Sequence, residues 1–256
     1  MKRRSLTAIL VLVAVICAAL PLSCAWAEEP QPMEAALPWL EKNPDTIGWL
    51  KVGKIIDTPV TQRDNEFYLK HNYRGEKSSG GMVFVDEDCS IMPQDTHMVL
   101  YGHNMRNGTV FGNLDRYREL SYLKKYPIIS FDTIYEEAQY VVVAAYDMSA
   151  ETEDPYFMEM LRFNFETDED FYDLVNDAQR RSFYVIPIDV QPSDHLISMI
   201  TCSYTLYDGR MIVMLRKIRP DENPQEIAEA IQSTVLNENI YVPEELPEDE
   251  AEETAE

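Results

Sequence analysis

The chain of 256 residues is short of positive charge: 22 lysines and arginines stand against 45 aspartates and glutamates, a net charge of −23. Binding a phosphate backbone depends on neutralising it with basic side chains, so nucleic acid is excluded as a partner. There is no glycine-rich phosphate loop, no HExxH, no CxxC and no close His/Asp cluster. No metal or other cofactor is therefore expected. A serine triad is not supported, because no G-x-S-x-G elbow occurs. Cysteine is scarce as well, with four in all, and Cys17 and Cys24 fall in the N-terminal segment. Cys89 and Cys202 remain, which allows a single Cys89–Cys202 disulfide in an oxidising compartment.

Long apolar runs are also missing, except at the start. Met1-Lys2-Arg3-Arg4 is followed by a mostly apolar stretch from Leu6 to Leu22 and by Ala25-Trp26-Ala27. A basic region, a short apolar region and small residues at −3 and −1 make an export signal, and the run falls short of the ~20 residues of a comfortable membrane span. Residues 1–27 are read as a signal peptide or a signal-anchor that attaches the chain to the membrane. The expected location is the outer face of the cell membrane, or the wall and medium if the signal is cleaved.

What is present is enough apolar and aromatic residues, 45% and 11%, to build a core without disulfide staples. Residues 28–36 read as a linker, 37–219 as the principal domain, 220–240 as a C-terminal helical segment and 241–256 as an acidic disordered tail. Within the domain, short runs rich in Val, Ile, Tyr and Phe are separated by turn residues: 47–52, 59–61, 82–85, 98–101, 128–131, 139–146, 184–188, 195–202 and 211–218. The pattern predicts a mainly β barrel or sandwich. Helices are predicted at Glu34 to Asn43, Thr109 to Leu120, Asp168 to Arg181 and Pro224 to Leu236 from apolar spacings of three and four.

Cys202 ends one apolar run, and Arg210 opens the next across the turn at Asp208-Gly209. His103 follows another strand, Met98 to Tyr101, where a polar loop begins. Strand ends under loops are where catalytic groups project. A cysteine with a histidine distant in sequence is a candidate nucleophile pair, because the thiolate is the reactive form and a nearby cation favours it. Arg210 has a second possible duty, since a guanidinium suits the oxygen that turns negative when a thiolate attacks an amide. The residues alone leave open a disulfide between Cys89 and Cys202, a structural histidine and a solvated arginine.

Taken together, the chain resembles the class B sortases, cysteine transpeptidases that attach surface proteins to the cell wall of Gram-positive bacteria or link pilins. Tyr101-Gly102-His103-Asn104-Met105 resembles the family's histidine motif, Thr201-Cys202 its cysteine and Arg210 its arginine. Ile47 to Leu50, Asp57 to Gln62 and Gly80 to Asp86 are similar to its early strands, so the resemblance runs from about Trp39 to Ile218. One departure is Ser198-Met199-Ile200-Thr201-Cys202, where the family often has Thr-Leu-x-Thr-Cys.

The resemblance implies a closed sortase-type β-barrel with an N-terminal helix and helices inserted between strands. The 168–181 helix would be the insertion that separates class B from class A. It implies Cys202 as nucleophile, His103 as proton carrier and Arg210 as oxyanion and peptide contact, with Asn104, Thr201 and Tyr204 expected to bind substrate. The implied partners are sorting-motif-bearing surface proteins or pilins, and as acceptor an amine of the peptidoglycan precursor or a pilin lysine. It also makes Cys89 a buried or incidental thiol. Two rivals are a secreted cysteine peptidase that transfers only to water, and a non-catalytic surface binding module with paired Cys89 and Cys202.

Overall fold

The structure is a computed structural model and describes residues 30–242. The segment 1–27 expected to be an export signal and nearly all of the expected acidic tail lie outside the described residues. A 3-10 turn at Glu34–Ala36 leads into helix α1, Leu37–Lys42, which has a proline in its first turn and stops at Asn43. The Asn43 side chain is buried and donates to Tyr68 Oη and the Tyr73 carbonyl, which ties this helix to the domain.

Eight strands close a barrel: β1 (Thr46–Val52), β2 (Ile56–Gln62), β3 (Val83–Val85), β4 (His97–Tyr101), β5 (Ile128–Thr133), β6 (Gln139–Ser149), and, after a further short strand β7 (Tyr184–Val185), β8 (Leu196–Cys202) and β9 (Gly209–Lys217). The order around the barrel is β1-β2-β3-β4-β8-β9-β6-β5, with β5 returning to β1. Closure removes the exposed edges a flat sheet would carry. β2–β3 and β4–β8 are parallel, and the remaining pairs are antiparallel.

The interior is filled from every strand, and β6 and β9 are apolar on both faces: Tyr140 to Tyr146 and Met211 to Leu215 are all buried. Helix α3, Asp168–Arg181, lies against β6 through Phe171, Leu174, Val175 and Ala178. Its sequence explains its ends. The Thr167 hydroxyl accepts from the Asp170 amide while the Asp170 carboxylate accepts from the Thr167 amide, with acids in the first turn and Arg180-Arg181 in the last.

Two expectations need correction. The run from Thr109 to Leu120 is not one helix: Val110 takes a positive φ of 54°, a 3-10 turn covers Leu114–Arg118, and helix α2 begins only at Leu120 and ends at Lys125. Phe111, Leu114 and Tyr117 are buried as the pattern required, but a spacing of three fits the 3-10 repeat as well as the α repeat. The C-terminal helix, α4, spans Pro224–Ile231 and stops short of Val235–Leu236, which form strand β10 against β7. That pairing takes β7 out of the barrel, and Pro187, which has no amide hydrogen to give a ladder, follows soon after it. The rival pairing of Cys89 with Cys202 does not occur: both are free thiols, Cys89 buried among the core residues as the resemblance implies and Cys202 exposed.

Candidate active site

Parallel pairing of β4 and β8, with Tyr101 opposite Ile200, sends both strands out of the barrel at the same end. The Gly102 amide still donates to the Ile200 carbonyl, and the Thr201 hydroxyl donates to the Gly102 carbonyl at 2.7 Å. The residues that follow, His103 and Cys202, therefore leave side by side. β8 then turns back as β9 in antiparallel register, which sets Arg210 directly opposite Cys202. All three line one cleft of about 300 Å³, with Asn65, Leu69, Phe84 and Tyr101 on its other walls.

Each of the three is held differently. His103 Nε2 lies 2.9 Å from the Leu69 carbonyl and so carries its hydrogen there, leaving Nδ1 without a partner among the described residues. That carbonyl is fixed by a tight passage of chain. Gly81 has a φ of +56°, and a Cβ on it would lie 2.3 Å from the Tyr68 carbonyl oxygen and 2.8 Å from that of Leu69. Arg210 Nη1 is bonded to Asp208, through both its carboxylate and its carbonyl, and to the Gly209 carbonyl. Nε and Nη2 make no bond among the described residues.

Below the cleft, Tyr101 donates its hydroxyl to the buried Asp86 carboxylate at 2.8 Å, and Asn65 donates to the same oxygen. Burial and that carboxylate push the Tyr101 phenol far above its ordinary range, so it stays a neutral donor. Cys89 is likewise kept a thiol, pushed up to about 12 by burial. This inert thiol contrasts with exposed Cys202.

The residues expected to bind substrate separate. Thr201 is buried and turned to Gly102, although it borders the cleft. The Asn104 amide donates to Asp115 at 2.7 Å and to the Cys202 carbonyl at 2.9 Å, so both its hydrogens are engaged within the chain. Tyr204 is 81% exposed on the loop beyond β8 and does not line the cleft. Leu69, whose backbone orients His103, had no signal in the sequence. Asn65 and Phe84 had none that singled them out.

A larger recess of about 870 Å³ lies at the opposite end of the barrel, around His195 and Lys217. Of its cations, Lys217 is paired with Glu136 and Arg219 with Asp189 and Asp194, Lys51 is a third, and it contains no nucleophilic thiol. Among the described residues no group of three or more His, Cys, Asp and Glu could hold a metal ion. No helix among them is long and apolar enough to cross a membrane.

Comparison with known proteins agrees with this geometry. Residues 51–218 match the model of the sortase domain. A sortase B of Listeria monocytogenes is 31% identical over 175 residues, covering 67% of this chain and 69% of its own. The crystal structure of Clostridium perfringens sortase B superposes with a TM-score of 0.64 at 28% identity, over 71% of this chain and 98% of that one. A Staphylococcus aureus sortase B–substrate complex gives 0.65 at 28% identity, over 72% and 84%. With the barrel, the inserted α3 and the match over most of its length, the chain belongs to the sortase family, in its class B branch.

Proposed function

We propose that Cys202 is the nucleophile, His103 the proton carrier and Arg210 the oxyanion contact of the cysteine transpeptidation that sortases perform. The observation that supports this reading is the convergence of the three on one cleft, although 99 residues of chain separate the first two.

The thiolate of Cys202 attacks the carbonyl carbon of the scissile peptide bond. Negative charge gathers on that carbonyl oxygen, where an Nε or Nη2 hydrogen of Arg210 receives it. Such a donor typically lowers the barrier by ~3 kcal/mol, a few hundredfold in rate. Collapse breaks the C–N bond, and His103 gives the Nδ1 proton to the leaving amine while Nε2 stays on Leu69. The thioester is then attacked by an amine, whose proton returns to His103. One amide is broken and one formed, with no net change in protons or electrons.

The substrates in this reading are exported proteins or pilins carrying a C-terminal sorting motif. That the Staphylococcus aureus relative is solved as a sortase B–substrate complex supports this substrate class. As acceptor, the reading takes an amine of the peptidoglycan precursor or a pilin lysine. The basic and apolar N-terminus supports a position at the outer face of the membrane.

The test is a Cys202→Ala variant with a fluorogenic sorting peptide, together with mass spectrometry for the acyl-enzyme. Loss of turnover and of the adduct is expected, and full activity would end the assignment. An added amine acceptor should yield the new amide. Hydrolysis alone, at any acceptor concentration, would favour a peptidase.

A further inference from the structure

Behind the cleft, a set of polar side chains that the mechanism leaves unused forms a closed circuit around the end of β8. Arg118 binds Asp147 with both terminal nitrogens, Nη1 to Oδ2 and Nη2 to Oδ1 at 2.6 Å. The same Nη2 donates to Ser203 Oγ at 2.9 Å, and Ser203 is buried. Thr205 joins this point, with its hydroxyl 2.8 Å from Ser203 Oγ and 3.0 Å from Asp147 Oδ2. On its other side Arg118 Nε stands 3.5 Å from Asp115 Oδ1, an ion pair and not a hydrogen bond, and that buried oxygen has no hydrogen-bond partner among the described residues. Asp115 Oδ2 accepts from Asn104, and the same Asn104 nitrogen donates to the Cys202 carbonyl. The circuit therefore begins at the carbonyl of Cys202 and ends at the side chain of the next residue.

We infer that Arg118 is a positioning residue that fixes the end of β8 against the loop carrying His103. The inference rests on the transpeptidase reading. Asn104 is the residue after His103, and Ser203 the residue after Cys202, so each arm of the circuit grips the neighbour of one reacting group. A network that served stability alone had no need to end on these two neighbours. The guanidinium is suited to the task because it is planar and serves two carboxylates and a hydroxyl at once, whereas a lysine ammonium cannot hold that fork. Its plane is further fixed by the Phe183 ring, 5.2 Å away.

The test uses the full chain with Arg118→Lys and Ser203→Ala. Four readouts are needed: melting temperature, kcat and KM with a sorting peptide, and the pH profile of Cys202 alkylation by iodoacetamide, followed peptide by peptide with buried Cys89 as the folding control. In R118K, kcat is expected to fall ten- to hundredfold with KM nearly unchanged, since small misplacements of reacting groups act on the chemical step. The Cys202 alkylation profile should shift while Cys89 stays protected. Unchanged kcat, or a loss of kcat that merely follows the loss of Cys89 protection, would overturn the inference. Should R118K fail to fold, S203A removes the Arg118 contact together with the two hydrogen bonds that Thr205 makes to the same hydroxyl and leaves the Arg118–Asp147 pair in place, and a kcat equal to wild type there would overturn it too. If the wild-type chain forms no acyl-enzyme with any peptide, it is the transpeptidase reading that fails. The alkylation profiles still decide the positioning role.

Discussion

His97 Nε2 lies 2.9 Å from Ser198 Oγ inside the barrel wall, and its Nδ1 lies 2.9 Å from the Arg162 carbonyl. The carbonyl can only accept, so Nδ1 carries the hydrogen and Nε2 receives the serine hydroxyl: this imidazole is fully satisfied as a neutral ring. It joins β4 to β8 at the end of the barrel away from the cleft.

Burial pushes His97 down to about 4, with the Arg162 charge adding to the effect against its carbonyl. The unfolded chain takes up this proton at higher pH than the folded one, so the contribution is complete above the ordinary value of 6.5 and is lost as pH falls towards 4. For a shift of this size, stability is expected to drop by about 2 kcal/mol between pH 7 and pH 5 from this residue. Urea unfolding of wild type and His97→Gln at both pH values measures it. Equal losses in the two proteins would show that other groups carry the acid sensitivity.

Gly81→Ala forces a Cβ into the Tyr68 and Leu69 carbonyls at a positive φ. Destabilisation of about 1–3 kcal/mol is expected from the backbone strain, and a lower kcat because His103 hangs from Leu69. Thermal melts combined with single-turnover acylation separate the two effects. A lower melting temperature with unaltered acylation would mean that Leu69 does not orient the ring.

Arg216 is 1% exposed on β9 and forms a two-pronged pair with Glu222, at 2.5 and 2.9 Å. Glu222→Ala leaves that buried guanidinium without its main partner, although Glu222 itself is partly exposed, and the loss is expected to cost about 1–3 kcal/mol. Chemical denaturation of the variant should show most of this loss. A change below half a kilocalorie would mean that water or another carboxylate replaces Glu222.

Asp208→Asn should free Arg210 from its neighbouring carboxylate at little cost, since the pair is partly exposed and Asn also tolerates the φ of 38° at this turn. An Arg210 released to the peptide is expected to lower KM two- to threefold, a difference of about 0.5 kcal/mol. Steady-state kinetics at low salt checks it. A raised KM would instead show that Asp208 presents the guanidinium.

Part of this was legible in the sequence for local reasons. The Asp208-Gly209 turn put Arg210 across from Cys202, because a hairpin register is a short-range property. Helix α3 was equally plain, because its apolar residues fall on one face at helical spacing, whereas its Thr167 cap emerged only with the structure. The place of His103 beside Cys202 depends on parallel pairing of strands far apart in the chain, which no local pattern records. Only the resemblance of the flanking motifs pointed to it. The Leu69 carbonyl is backbone and leaves no trace in residue identity. Arg118 and Asp147 are charges on surface-like segments until the fold brings them together. The 109–120 segment misled because residues three apart satisfy two kinds of helix.

The parallel adjacency of β4 and β8 also sets an order of assembly. A chain that emerges amino end first presents Met98 to Leu100, all buried in the finished barrel, well before β8 exists to cover their edge. Until roughly the first four fifths of the protein has been delivered, that edge is open to pairing with any other strand, and Cys202 is not yet beside His103. The cleft is thus incomplete while most of the chain is being delivered, and its apolar strands are at greatest risk of aggregation in that same interval.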